Sequence, residues 1–252
     1  AFGDVSQVYN SSGYLSSNYN SLQVAFNRQF SKGLMIKGAY TWSHAIDYTD
    51  DDGWAEMDWY GSQFSRNRAT AGFDRTQVFQ LGWVYQLPVG KGKAFVNSGI
   101  AATILGGWQF SGIESCYTGN PLTVTANGTS LNAPDQTQTA NQVLSNVAFL
   151  GGIGPGASYY NPAAFAPVNT VSYGNVGRNT LRGPGMWNTD MSIVRDFPIK
   201  ERVTLQFRAE FYNLANTSHF GNPDTNVNDA SFMQITSSTG ERNIRFAFHV
   251  TF

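Results

Sequence analysis

Seven short segments of the chain alternate large apolar residues with polar or small residues, and this period of two restricts the fold more than any other feature. The last segment is RNIRFAFHVTF, in which one row contains Ile244, Phe246, Phe248, Val250 and Phe252. Because successive side chains of a β-strand point to opposite faces, the alternation predicts strands with one apolar and one polar face. Helical periodicity is nowhere convincing, so the sequence predicts an all-β chain.

The other six segments follow the same pattern and have a similar length. Each has about the ten residues that a tilted strand needs to cross a bilayer. Their polar rows are rich in Gln, Asn, Ser and Thr, which suits a wet interior. The six segments are residues 19–30, 34–44, 75–87, 107–117, 187–197 and 202–214.

The connections between the predicted strands alternate between short and long. Ser31-Lys32-Gly33 and PIKE (198–201) are tight turns and PVGKGK (88–93) opens a moderate one, whereas three links are long: 45–74, 118–186 and 215–241. Strands that run up and down place every second connection at the same end, so one end has turns and the other has large loops. Outer-membrane barrels have short periplasmic turns and longer extracellular loops. The sequence therefore predicts an antiparallel up-and-down transmembrane β-barrel segment with long extracellular loops.

A soluble β-sandwich would show the same alternation, because its apolar rows would face a core. Three features favour the membrane barrel: the polar faces resemble a lumen, one link is unusually long for a compact soluble domain, and aromatic residues lie near strand ends. Aromatic residues make up 14% of the chain and charged residues only 13%, about half the usual share. The aromatic residues near strand ends are Phe30, Tyr40, Trp42, Tyr85, Trp187, Phe197 and Phe252.

Composition excludes several classes of protein. The formal net charge of −1 comes with no clustered basic surface, which argues against a nucleic-acid partner. Cys116 is the one cysteine, so no intrachain disulfide is possible. The sequence contains no run of eighteen apolar residues, so it predicts no transmembrane helix. The chain starts without a Met or a signal segment, and we expect it to be a processed chain or a piece of a longer one.

Candidate chemical motifs are weak. The stretch DYTDDDGWAEMD could offer Asp50, Asp51 and Asp52 to Ca²⁺, but a calcium loop counted back from Gly53 would need acidic residues at Tyr48 and Trp59. A solvated acidic loop is the preferred interpretation. The glycines of PVGKGK and GGIGPGA lack the spacing of phosphate or dinucleotide loops, and the three histidines lie far apart. The sequence predicts no enzyme, no cofactor and no metal site, and it identifies no ligand-binding residue.

Charged residues on the polar rows are predicted to line the lumen: Lys37, Asp190, Arg208, Glu210 and Arg245. If the PIKE turn is centred near Lys200, Asp190 lies opposite Glu210 and diagonal to Arg208, and Arg245 could reach Glu210 from the closing strand. Such a ladder would fix the register of the strands. The alternative is a set of independently solvated charges, because register can slip by two residues without changing faces.

Five stretches, which span nearly the whole chain, carry a family resemblance when taken together: SNYNSLQVAFNRQFSKGLMIKGAYTWSHAID, FDRTQVFQLGWVYQLPVGKGK, GGWQFSGIESCYTGNPLTV, YYNPAAFAPV and GNVGRNTLRGPGMWNTDMSIVRDFPIKERVTLQFRAEFYNLANTSHFGNP. They resemble the C-terminal barrel of TonB-dependent outer-membrane receptors, in particular the OmpA-related (Oar-like) group that carries a carboxypeptidase-regulatory-like domain. The resemblance implies uptake of a bulky nutrient, such as a saccharide, peptide or metal chelate, through a plugged barrel of about 22 strands. It also implies that Phe246, Phe248, Val250 and Phe252 are read by the barrel-assembly machinery.

The chain departs from that family because it has no plug, no TonB-contacting box and no regulatory-like domain. Seven strands is an odd number, whereas bacterial single-chain barrels have an even number. Either a strand near residues 94–104 is missing from the count, or residues 1–252 form one domain that is the C-terminal third of a barrel. The second interpretation is preferred. The expected partners are then outer-membrane lipid, the rest of the barrel, the plug and TonB.

Together these features predict that the protein lies in the outer membrane of a Gram-negative bacterium. Two alternatives to active transport are an adhesion or surface-binding barrel and a secreted soluble sandwich.

Overall fold

The computed structural model describes residues 13, 15–50, 58–131, 133, 136–200 and 202–252. Strands are numbered in chain order, and seven of them are long: β1 (Asn18–Ser31), β2 (Leu34–Asp47), β4 (Gln77–Gln86), β5 (Trp108–Tyr117), β10 (Met186–Lys200), β11 (Val203–Tyr212) and β14 (Asn243–Thr251). The short strands are β3 (Ala69–Thr70), β6 (Pro121–Leu122), β7 (Asn141–Gln142), β8 (Phe165–Ala166), β9 (Leu181–Arg182), β12 (His219–Phe220) and β13 (Ser238–Thr239). Helix α1 spans Gly99–Leu105, and 3-10 turns span Gly61–Asn67, Gly128–Ser130 and Pro162–Ala164.

The seven long strands form one antiparallel sheet in the order β1-β2-β4-β5-β10-β11-β14, with β3 paired to β2. Each long strand therefore pairs with the long strand that follows it in the chain, which confirms the predicted up-and-down topology. The β1–β2 turn is tight because Lys32 and Gly33 both have positive φ, as a two-residue hairpin requires. A side chain on Gly33 would also press against the carbonyl oxygen of Gln86.

Strand register places the apolar rows of neighbouring strands on one face of the sheet. Leu22 lies opposite Trp42, Tyr40 opposite Phe79, and Phe207 opposite Phe248. Two glycines in this face are covered by aromatic rings from the preceding long strand: Gly38 by Phe26 and Gly112 by Trp83. The rings fill the space that a side chain would occupy, a known way of stabilising glycine in a sheet.

The long loops between the other strand ends fold together into a unit that we call the loop cap, made of the described residues of 58–76, 118–185 and 213–242. Three two-stranded ribbons, β6–β9, β7–β8 and β12–β13, lie in it. Its apolar core contains Val124, Ala140, Ala164, Phe165, Val176, Phe232 and Met233. The sheet has little buried apolar surface of its own, so most of the buried core of the described chain lies in the cap.

The structure excludes one alternative and contradicts one prediction. Residues 94–104 do not supply an eighth long strand, because most of that segment belongs to helix α1, whose Ala, Ile and Leu residues favour a helix once its end is capped by Arg195. The register of β10 and β11 places Ser192, not Asp190, opposite Glu210. β10 runs through Lys200 and β11 starts at Val203, so the connection is centred one residue later than predicted and the register shifts by two.

β1 and β14 are the two ends of the sheet, and within the described residues they do not pair with each other. No helix in the described part of the chain is long and apolar enough to cross a membrane.

Candidate functional site

The polar face of the sheet surrounds a hollow of about 390 Å³. Side chains from β2 to β11 border it, which means that the sheet curves around its polar side. Three of the charged residues that the sequence placed in the lumen lie at this hollow: Lys37, Asp190 and Glu210. Apolar side chains such as Met35 and Ile113 lie beside them. We call this face of the sheet the inner wall and the face with the apolar rows the outer wall.

The charged side chains on this wall make fewer ion pairs than predicted. Arg208 and Glu210 come within 3.4 Å of each other, on the same strand. Arg245 lies opposite Glu210 in register, but its guanidinium stacks over the Tyr212 ring at 5.1 Å. Asp190 accepts hydrogen bonds from the Asn188 side chain and from the Asn213 N–H. Among the described residues the predicted ladder is reduced to one pair, worth at most about 1 kcal/mol because both side chains are partly exposed.

Arg178 connects the loop cap to the top of strand β2. Its side chain is only 2% exposed, and it forms ion pairs with Asp47 and, at 3.1 Å, with Asp50. It also donates to the Asp47 carbonyl at 3.0 Å, a contact between residues 131 positions apart. A buried arginine between two carboxylates fixes the long loop onto the wall, because separating them would leave an uncompensated charge in a buried site.

The candidate calcium ligands have different roles or lie outside the described residues. The Asp50 carboxylate accepts hydrogen bonds from Gly72 N–H and from the Asn179 side chain in addition to its ion pair with Arg178. Asp51 and Asp52 lie outside the described residues. In the part of the chain that the structure describes, no group of three His, Cys, Asp or Glu residues could hold a metal ion.

A second buried ion pair joins Asp74, whose side chain is 1% exposed, to Arg182. The Asp74 carboxylate also accepts hydrogen bonds from the Ala45 N–H at 2.7 Å and the Thr76 hydroxyl at 3.2 Å. Burial alone would raise the pKa of Asp74, but Arg182 and the Ala45 N–H outweigh it and hold that pKa below its ordinary value of 3.8. The pair therefore ties strand β9 of the cap to the link before β4 as long as Asp74 is ionised.

Acid is expected to loosen this contact. Because the folded state lowers the pKa of Asp74, its stabilising effect is present above about pH 4 and is lost as the pH falls through the lower, folded-state pKa. Hydrogen exchange around Ala45 and Arg182, corrected for the intrinsic effect of pH, should accelerate below about pH 4. In Asp74→Asn, the amides around Ala45 and Arg182 should already exchange faster at pH 7, with protection lowered by about 1–3 kcal/mol. The acceleration below about pH 4, which we call the acid step, should be mostly absent from this variant. Asp229→Asn, at an exposed site in the cap, should keep the step; a step retained in Asp74→Asn would contradict the assignment.

Arg66 organises a third cluster inside the cap. It donates to the carbonyls of Gly174 and Val176 and to the Thr139 hydroxyl, at 2.7–3.1 Å. Its guanidinium lies 4.5 Å from the centre of the Trp59 ring, a fully buried side chain. These contacts span more than seventy residues, so the cap is a folded unit and not a set of independent loops.

An aromatic hollow of about 550 Å³, which the sequence did not predict, lies where the cap meets the outer wall. Tyr159 and Tyr160 line it from the cap, and Tyr40, Phe79 and Trp187 line it from the sheet. The two tyrosine rings pack edge to face with each other and with Phe149, at 5.0–5.6 Å. The sequence signal that could have indicated it is the YYNPAAF stretch, where two adjacent aromatics precede a turn.

The residues predicted to act as an assembly signal lie on the outer, apolar face of β14 or just after it. Phe246, Phe248, Val250 and Phe252 are all exposed, and Phe207 of β11 contacts the rings of Phe246 and Phe248. They form an exposed apolar surface that lipid or another protein could cover.

An up-and-down antiparallel sheet with an apolar outer face, a polar inner face, turns at one end and folded loops at the other is the wall of an outer-membrane β-barrel. The family model described as outer membrane beta barrel domain matches residues 1–245. The chain belongs to this family, and its place is the bacterial outer membrane. This membership also decides against the soluble sandwich, which the alternation alone had left open. No curated protein matches the chain.

Proposed function

We propose that this chain is the barrel wall of a TonB-dependent receptor that takes up a bulky nutrient across the outer membrane. The observation that supports capture outside the cell is the loop cap, because its buried core and buried ion pairs give the external face a fixed shape. A preformed surface binds a ligand at lower entropic cost than mobile loops do. The resemblance to TonB-dependent receptors is the reason for proposing that TonB powers this uptake.

The inner hollow suits a ligand with both polar and apolar parts. Its volume of about 390 Å³ falls within the range of small-molecule sites. It offers both signs of charge beside apolar side chains such as Met35 and Ile113. A saccharide or a peptide fits this chemistry, and a metal chelate remains within the proposal.

The proposed partners follow from the same placement. In hydrocarbon every strand edge must be paired, so β1 and β14 would pair with further strands of the barrel. A plug inside the barrel and TonB on the periplasmic side would complete the transporter, and the barrel-assembly machinery would insert it. We propose no catalytic role, no cofactor and no nucleic-acid partner.

Uptake dependent on both the receptor and TonB is the expected result. Strains of the native host that lack either this gene or TonB should fail to grow when one member of a panel is the limiting nutrient. The panel contains linear oligosaccharides, oligopeptides and ferric chelates, each supplied alone. Both deletions should abolish growth on the same member, because transport through a plugged barrel requires both components.

The control is the same strain complemented with the intact gene, which should recover growth on that member. Surface binding of a panel member that survives the loss of TonB, with no growth defect on any nutrient, would contradict transport and favour adhesion. Growth defects in the two deletions on different nutrients would also contradict the proposal.

A further inference from the structure

We propose that helix α1 is a membrane anchor that inserts Ile100, Ile104 and Leu105 into the phospholipid leaflet at the turn end of the barrel. Arg195 is the positioning residue that holds the helix against the outer wall. This inference rests on the placement of the barrel in the membrane and not on the transport proposed above.

The position of α1 along the wall is fixed by the chain. The helix lies in the connection between β4 and β5, at the same end as the tight β1–β2 turn. In outer-membrane barrels the end with the short turns is the periplasmic one. The helix therefore lies at the level of the inner, phospholipid leaflet of the outer membrane.

The side of the wall is fixed by Arg195. This residue belongs to the apolar row of β10, opposite Trp108 on one side and Phe207 on the other. Its guanidinium donates to the carbonyls of Thr103 and Ile104 at the end of α1, and it packs over the rings of Trp108 and Phe197. Trp108 also donates its indole N–H to the Ile104 carbonyl, at 3.3 Å. The helix thus lies beside the lipid-facing row and not inside the lumen.

The contacts of Arg195 also explain why a cation is tolerated in an apolar row. A charged residue on the lipid face of a barrel is destabilising unless its charge is compensated. Carbonyls at the end of a helix carry partial negative charge and lack partners within the helix, so they offset the positive charge of Arg195 and gain hydrogen bonds from it. Arg195 is buried, and its guanidinium contacts the end of α1 and two aromatic rings, so removing the helix would expose part of the charge to lipid.

The surface of α1 that faces away from the wall is apolar. Ile100 is 80% exposed, and Ile104 and Leu105 are more than half exposed. Phe95 and Val96, just before the helix, are exposed as well, and Lys91 and Lys93 precede them in the chain. An exposed apolar helix flanked by lysines is typical of segments that lie in the interface of a membrane with anionic phospholipid.

Phospholipid is the occupant that this surface fits, because α1 packs through Trp108 and Arg195 against the apolar rows of β5 and β10, which face lipid in a barrel of this family. Trp108 lies at the junction, and indole rings favour the level of the headgroups. A protein partner would have to displace lipid from the exposed face of α1, which lies next to the lipid-facing wall.

The test measures the depth of α1 in a bilayer with the full-length gene product. The protein is reconstituted in vesicles of phosphatidylethanolamine and phosphatidylglycerol, with Cys116→Ala to remove the exposed native thiol. A nitroxide label is placed at Ile100→Cys and its collisions with oxygen, which partitions into lipid, and with a water-soluble nickel chelate are compared. Leu205→Cys, in the apolar row near the same end, is the lipid control, and Lys91→Cys, in the same connection, is the water control.

The label at residue 100 should behave like the one at 205, about 5–10 Å below the headgroups, with loss of the nickel effect. A nickel effect equal to that at residue 91 would overturn the proposal. Protection from both reagents would overturn it too, because it would mean that protein covers the helix. Adding Arg195→Gln should restore nickel access at residue 100, and an unchanged signal there would overturn the positioning role of Arg195.

Discussion

Replacing Arg178 with methionine is expected to disorder the loop cap while the barrel wall stays folded. The substitution keeps an unbranched side chain but removes the cation between Asp47 and Asp50. Breaking a buried ion pair from one side costs about 3–5 kcal/mol, because the remaining charge keeps its desolvation penalty without its partner. Hydrogen exchange of residues 118–182 should therefore accelerate strongly, and that of strands β10 and β11 should not change.

The matched control is Arg242→Met, which makes the same chemical change at an exposed arginine of another loop. The Arg242 side chain donates one long hydrogen bond of 3.4 Å to the Leu214 carbonyl, so its loss should change stability by less than about 0.5 kcal/mol. Equal exchange profiles for the Arg178→Met and wild-type proteins would show that the cap does not depend on this ion pair.

The seven long strands were predictable because their signal is local. Each strand carries its own period-two row, and antiparallel pairing of chain neighbours then brings the rows together on one face, as for Leu205, Phe207 and their partners Val250 and Phe248. The tight turns add a second local signal, since Gly33 adopts positive φ without the steric cost that other residues have there. Fold class, strand number and topology followed from these two signals alone.

Register was not predictable to the same accuracy. A shift of two residues leaves every side chain on its face, so the apolar pattern cannot distinguish Ser192 from Asp190 as the partner of Glu210. The choice depends on where β10 ends, and the pairing there changes register between Pro198 and Lys200. The predicted charge ladder failed for this reason, although the register keeps Asp190, Arg208, Glu210 and Arg245 on one face of the sheet.

The loop cap and helix α1 had no periodic signal to reveal them. The contacts that hold the cap, such as Arg178 with Asp47 and Arg66 with Val176, join residues more than a hundred positions apart. Such pairs depend on tertiary placement, which a single sequence does not record. Helix α1 has only seven residues and depends on Arg195, about ninety residues later, to satisfy its last carbonyls. Short helices of this kind are set by tertiary contacts rather than by propensity.

Ile193→Arg is expected to prevent most of the full-length protein from folding into the outer membrane, whereas Ser192→Arg is expected to have little effect. The two positions are adjacent in the middle of β10 and at the same depth, but they point to opposite faces. Ile193 lies in the apolar row between Phe110 and Ala209, where an arginine would face hydrocarbon at a cost of about 2–4 kcal/mol near the bilayer midplane.

Ser192 faces the polar interior opposite Glu210, so an arginine there would face water and find a carboxylate across the strands. The measurement is the amount of folded barrel in outer-membrane fractions, read from its heat-modifiable migration on gels, followed by urea unfolding in vesicles. Because the chemical change is the same at both positions, a difference between the two variants reports the direction of the side chain and not the tolerance of the strand for arginine. Equal loss in both variants, or a larger loss for Ser192→Arg, would mean that the apolar row does not face lipid, and the placement of helix α1 in the membrane would fail with it.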